Sequence, residues 1–185
     1  LGEIEKNKVG EIHATLSQIP TEKLEKILSI IEASRVIQIS AEGDTYPVAA
    51  DAVYKFNQIG LLSFASGGNV ETADAQTMNL GRKDCLIVIS NSGESAALLK
   101  EIKLAHKNKL KVISITNNPA SPIALASDYH LKTGVRQTIL QNQYYFSRVA
   151  AFTIIEALFL LLIKRNEKRI ENIKQHEKIV SSQKI

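Results

Sequence analysis

One thiol, Cys85, and one methionine are the only sulfur groups in this chain of 185 residues. A lone cysteine cannot build a disulfide framework, so packing must hold the fold, and a reducing, cytoplasmic setting is expected. Tryptophan is absent and aromatics make up 5% of the residues, which leaves little to stack on a flavin. No run of His, Cys and carboxylates has metal-site spacing, so neither a metal nor a cofactor is expected. Long apolar runs are missing too. The longest, Val149 to Ile163, contains Glu156 and falls short of the roughly 20 residues that a spanning helix needs. It is expected to be a buried core or interface helix, with no membrane involved. No basic-then-apolar leader opens the chain. With Leu1 in place of an initiator Met, a domain of something longer is expected.

The bulk composition, 44% hydrophobic and 23% charged, is that of an ordinary soluble protein, and the length suits one domain. The formal charge is +4, and residues 164–185 hold seven Lys or Arg against three Glu, the whole of that excess. A solvated helix of mixed charge is expected there rather than a nucleic-acid surface. With no repeat, low-complexity tract or Pro/Gly-rich linker, residues 1–185 read as one domain. Residues 1–33 form its N-terminal helices, 34–133 an α/β core and 141–180 its C-terminal helices.

Five β-branched, apolar runs recur: Val36–Ser40, Leu61–Ala65, Cys85–Ser90, Lys111–Thr116 and Tyr129–Lys132. Runs such as Cys85–Ser90 lack alternation, as strands covered on both faces do. Helical patterns separate them at Val48–Ile59, Glu71–Leu80, Glu94–Asn108 and Ser121–Ser127. Two more helices, Ile4–Gln18 and Glu22–Ala33, precede the first strand, and a long one, Gln141–Arg165, follows the last. The expectation is an α/β fold of three layers, with a five-stranded parallel sheet of flavodoxin-like order 2-1-3-4-5 and extra terminal helices. In that order the switch point lies between strands one and three, and ligands bind beyond their carboxyl ends.

Two loops meet there. After strand three comes Ser90-Asn91-Ser92-Gly93-Glu94-Ser95, leading into a helix. Hydroxyls, a close-approach glycine and a helix N-terminus make an anion site. A capping box, with Asn91 as cap and Glu94 bonding back, accounts for part of the same residues. After strand one comes Gly43-Asp44-Thr45, with Pro47 in the next helix. A turn and a cap explain all of it, yet Thr45 is also placed to face Ser92 and Asp44 or Glu42 to bond sugar hydroxyls. Ser90 stands where a receiver domain needs a phosphorylatable Asp, and Gly43 alone does not make a dinucleotide fingerprint.

Together the loops resemble the SIS (sugar isomerase) domain over nearly the whole chain. Its S-x-S-G-x-[ST] motif is similar to Ser90–Ser95, its S-P-L-A-x-x-A-D segment to Ser121–Asp128, and the start of its final helix to Ser147-Arg148-Val149-Ala150. The resemblance implies a phosphorylated sugar held by Ser90, Ser92 and Ser95 with the backbone around Asn91 and Gly93, and Gly43, Asp44 and Thr45 alongside. Ala41 stands where the family's first glycine is usual, and Asp44 adds a charge. The helices ahead of strand one most resemble the effector domain of RpiR-type regulators. That implies a sugar-phosphate-sensing domain, with DNA reached only through an attached helix-turn-helix domain outside this chain.

The alternative is a stand-alone aldose–ketose isomerase. Its base would be Glu71, the best of the carboxylates and equally a first-turn acid. His13, His106, His130 and His176 all fall away from the expected site, so catalysis is the less favoured expectation. The apolar helix at Gln141–Arg165, with Tyr144, Tyr145, Phe146 and Phe152 among its residues, must be covered on several sides, and a homodimer is expected to cover part of it.

Overall fold

The computed structural model describes residues 1–66, 68–134 and 147–182. Among them, β1 (Ile37–Ala41), β2 (Ser63–Phe64), β3 (Cys85–Ile89), β4 (Lys111–Thr116) and β5 (Tyr129–Lys132) form one sheet. Its order is β2-β1-β3-β4-β5 with every pairing parallel, as expected. The helices are α1 (Gly2–Leu16), α2 (Thr21–Ala33), α3 (Tyr46–Gln58), α4 (Val70–Thr77), α5 (Ala96–Lys107), α6 (Pro122–Ala126), α7 (Val149–Arg165) and α8 (Lys168–Ser181).

Strand pleating sorts the side chains into two cores. Ile37, Ile39, Ile87, Ile89, Ile113 and Ile115 face α2, α3 and α7. Leu86, Val88 and Val112 face the other way, onto Leu98 and Ile102 of α5 and Ile123 of α6. Every residue of β1 and β3 is buried, and Cys85–Ile89 of β3 accordingly shows no polar alternation. Cys85 lies fully inside, and burial pushes its thiol up to about 12, leaving it inert near neutral pH.

Three elements differ most from the sequence expectation, the other bounds shifting by one or two residues. β2 shrinks to two residues, because it lies at the sheet edge and pairs only with β1. α4 ends at Thr77 rather than Leu80. α7 begins at Val149, with Arg148 at its N-cap, where a helix from Gln141 was expected. Residues 141–146, with Tyr144, Tyr145 and Phe146, lie outside the described residues. After α7 the chain breaks at Asn166, and α8 carries the basic tail. There Arg165 and Arg169 pair with Glu32 of α2, each at 2.8 Å, so part of the tail's charge is neutralised within the fold. Among the described residues no helix is long and apolar enough to cross a membrane.

One seam of the second core is polar. Gln38 and Ser40 of β1 point toward α5, where Gln38 Nε2 donates to Glu101 Oε1 at 2.9 Å and Ser40 Oγ at 2.6 Å. Thr77 of α4 joins them, 3.2 Å from the same oxygen. All four residues are at most 2% exposed, and Glu101 Oε2 has no partner. Desolvation raises the Glu101 pKa above its ordinary 4.5, against the lowering pull of Ser40 and Thr77.

The folded chain therefore holds this proton more tightly than the unfolded one. The resulting stability is complete below the ordinary carboxyl value and is lost as pH rises through the folded value. Replacing Glu101 by Gln is expected to flatten that loss. In thermal melts the variant's Tm should gain on wild type by roughly 2–4 °C between pH 4 and pH 8, the effect of about 1 kcal/mol in a domain of this size. A constant Tm difference across that range would show that Glu101 keeps its ordinary pKa in the fold.

Candidate ligand site at the switch point

The sheet reverses direction of growth between β1 and β3, where Ala41 lies opposite Ile89. The loops leaving these strands therefore stand side by side.

The loop from β3 is tied down at several points. Ser90 N donates to Ile115 O at 3.0 Å, and Asn91 O accepts from Asn117 N at 2.9 Å. Gly93 is left-handed at φ +75°, and its carbonyl accepts from Ile123 N at 3.1 Å. A Cβ at Gly93 would fall 2.1 Å from Ser121 Oγ, so glycine is required both by the backbone angle and by the contact. Ser90 Oγ accepts from Gly93 N at 3.2 Å, and Ser92 Oγ from Glu94 N at 3.3 Å. Neither hydroxyl donates to an acceptor among the described residues, and the N–H groups of Asn91, Ser92 and Ser95 likewise find none.

The cap of α5 is Ser95. Its Oγ accepts from Leu98 N at 3.1 Å and its hydroxyl donates to Glu42 Oε2. This corrects the capping-box alternative: Asn91 caps nothing, its Nδ2 is buried without a partner, and Glu94 is exposed. The two residues stand one loop too early to reach the helix's free N–H groups.

The loop from β1 turns at Gly43, which has φ +56° and open space around it. Asp44 is exposed. Thr45 is 7% exposed and does not turn to Ser92; its hydroxyl faces Glu42 O at 2.8 Å and Ile89 O at 3.3 Å. It thus braces the turn against the end of β3. Asp44, Thr45 and Asn91 line one small cavity together with Thr116, Thr133 and Arg148. Thr133 is 5% exposed, and its Oγ1 has no partner among the described residues. Arg148 Nη1 donates to Asp44 O at 3.3 Å.

Arg148 and Thr133 were not among the residues expected here. Arg148 was read as part of a continuous helix, where it would be ordinary surface; the late start of α7 turns it to the cavity. Thr133 gives no signal in sequence, since nothing local distinguishes it from other strand-end threonines.

Glu71 is not brought to these loops. It stands exposed in the first turn of α4, makes no hydrogen bond to them, and its field falls on Lys100. Of the histidines, His106 contacts Ala126 O at 2.8 Å and His176 packs edge-on to Tyr54. His130 lies closer than expected, 2.9 Å from Thr116 Oγ1 at the end of β4. Its burial lowers its pKa and favours the neutral ring. Among the described residues no group of His, Cys and carboxylates is placed to hold a metal.

The Vibrio vulnificus NanR protein, solved in complex with ManNAc-6P, superposes with a TM-score of 0.88 over 96% of this chain and 67% of its own, at 19% identity. The sugar isomerase domain of an RpiR transcription factor from Sphaerobacter thermophilus gives 0.86 over 96% and 97%, at 17% identity. At such identities these likenesses speak for the fold alone. In sequence, an uncharacterised helix-turn-helix transcriptional regulator of Thermotoga maritima is 29% identical over 181 residues, 97% of this chain. The chain spans 64% of that relative's length. The SIS-domain pattern itself matches residues 29–161, from α2 through most of α7 and across both loops of the switch point, and the chain belongs to the SIS domain family.

Proposed function

We propose that this chain is the sugar-phosphate-sensing domain of a bacterial transcription regulator. The phosphate of the ligand sits on the Ser90–Ser95 loop, and DNA is bound by a helix-turn-helix segment outside this chain. The observation that carries the phosphate seat is the set of free donors on that loop. Among the described residues, the hydroxyls of Ser90 and Ser92 and the N–H groups of Asn91, Ser92 and Ser95 have no acceptor. They gather around a left-handed glycine at the N-terminus of α5. Such an arrangement is a nest for an anion with several oxygens, and the helix dipole adds to it. Sugar hydroxyls then extend past Gly43, Asp44 and Thr45 to the cavity lined by Thr133 and Arg148.

Sensing is favoured over isomerisation by the same geometry. Moving the C2 proton needs a base within hydrogen-bond reach of the sugar. Glu71 stands exposed in the first turn of α4 with no hydrogen bond to these loops. Among the described residues no histidine bonds to the serine loop, His130 stopping at Thr116 Oγ1 with its ring favoured neutral. The names of the similar proteins support the regulator reading, NanR through a phosphorylated sugar and the Thermotoga maritima relative through its DNA-binding class.

A homodimer completes the proposal. Ile12 and Leu16 of α1 and Leu160 of α7 are 37%, 42% and 55% exposed around a groove floored by Val149 and Phe152. The Lys55–Glu156 ion pair at its side, 2.7 Å long, supplies a polar rim. A second copy presenting the same face would cover these residues and match the two-fold symmetry of a palindromic DNA site.

Titration calorimetry against hexose 6-phosphates, amino-sugar phosphates, ketose phosphates and unphosphorylated sugars tests the first part. One phosphorylated sugar should bind saturably and be recovered unchanged. Ser92→Ala should weaken it roughly tenfold or more, as loss of a hydrogen bond to a charged group does, and Arg148→Ala should weaken it too. Isomerised ligand would make the protein an enzyme, and silence across the panel from a folded protein would reduce the serine loop to a helix cap. Sedimentation at micromolar concentration should show a dimer, and Leu160→Lys should shift it toward monomer; a wild-type monomer would remove the dimer.

A further inference from the structure

β1 carries a polar row on the face toward α5: Gln38, Ser40 and then Glu42, at the two-residue spacing that keeps side chains on one face. Gln38 and Ser40 both donate to Glu101. Glu42 continues the row past the end of the strand and accepts the hydroxyl of Ser95.

This last contact falls on the phosphate seat. Ser95 has one hydroxyl proton, which goes to Glu42, and its oxygen already accepts from Leu98 N. The serine at the positive end of the α5 dipole is therefore held by a carboxylate, while Ser90 and Ser92 keep their protons free. Among the described residues no cation pairs with Glu42. A ligand phosphate reaching Ser95 would stand beside that carboxylate, roughly 5 Å away if both shared the hydroxyl, where like charges lower affinity by about tenfold or more. The neighbouring acids do not act the same way: Glu94 is exposed, and the one contact of Asp44 toward the cavity is through its carbonyl.

We propose that Glu42 is a latch on the anion seat: its carboxylate holds the place at Ser95 that a phosphate oxygen must occupy, and binding requires it to leave. The inference rests on the phosphate reading above. Its consequence is selectivity. A bare anion gains too little at the loop to displace Glu42, whereas a sugar phosphate adds the contacts of its hydroxyls. The latch thus keeps the seat clear of free phosphate and reserves it for a ligand that fills the rest of the site.

Inorganic phosphate is the direct probe, titrated calorimetrically at fixed ionic strength into wild type, Glu42→Gln, Glu42→Ala, Ser95→Ala and the double variant Glu42→Ala/Ser95→Ala. Thermal melts of each check that it is folded. Glu42→Ala should bind phosphate about tenfold or more tighter than wild type, with Glu42→Gln between them. Wild type too weak to titrate beside a measurable Glu42→Ala is the same result. With Ser95 already replaced by Ala, removing Glu42 should change affinity by about threefold or less, since the shared hydroxyl is gone. Equal or weaker phosphate binding by Glu42→Ala, with sugar-phosphate binding by wild type still weakened in Ser92→Ala, overturns the latch and leaves the phosphate seat standing. If no folded variant binds phosphate and wild type binds no sugar phosphate, both proposals fail together.

Discussion

The approach of Gly93 to Ser121 is the constraint on which the rest of the site depends. A backbone angle in the left-handed region and a space closed by the Ser121 hydroxyl leave room for no side chain at this position. Through that contact, and through the bonds of Asn91 and Gly93 to Asn117 and Ile123, the loop after β3 is fastened to the β4–α6 connection. Fastened there, it leaves the hydroxyl protons of Ser90 and Ser92 without an acceptor among the described residues. The close-packed sheet beneath supplies the rigid floor, since β1 and β3 are buried along their whole length.

From this floor two electrostatic regimes diverge. On the α7 side the site offers donors: the Arg148 guanidinium, and Asn91 Nδ2 and the Thr133 hydroxyl, which have no partner among the described residues. On the α5 side it offers acids: Glu42 on Ser95 and, deeper, Glu101 on Ser40. In the proposed pose the phosphate on the serine loop meets Glu42 at one edge of its seat, while the hydroxyls of the sugar take the donors of the α7 side. The polar row on β1 thus links the proposed seat to a buried carboxyl under α5, in a sheet whose other inward positions are largely apolar.

Much of this was legible in the sequence, and the failures have physical causes. Cys85–Ile89 announced itself because this strand, covered on both faces, has no polar residue to obscure it, and Lys111–Thr116 because its β-branched residues carry the same signal. β2 was overextended because an edge strand is half a strand, and Leu61–Ala65 has the composition of a whole one. The serine loop was readable as a donor cluster at a helix start, but its cap was not. Asn91 and Glu94 imitate a capping box, whereas the helix begins only after Ser95, a difference of backbone angles that residue types do not fix. The orientation of Thr45 was misjudged for a similar reason, since a hydroxyl near a strand end takes the closest carbonyl, here Glu42 O at 2.8 Å, with Ile89 O at 3.3 Å. Arg148 is brought in by the packing of α7 against the sheet, and Thr133 by the pairing of β5 with β4, where Thr133 N donates to Thr116 O at 2.9 Å.

The central claim is that the loop from Ser90 to Ser95 holds the phosphate of a phosphorylated sugar. The most direct test is a crystal structure of the chain with the tightest-binding sugar phosphate. The account predicts phosphate oxygens within hydrogen-bond distance of Ser90 Oγ, Ser92 Oγ and the Asn91 and Ser92 N–H groups, with the sugar lying toward Thr45 and Arg148. A phosphate seated on Arg148 or on the basic face of α8, with the serine loop unchanged and still free of ligand, would contradict it.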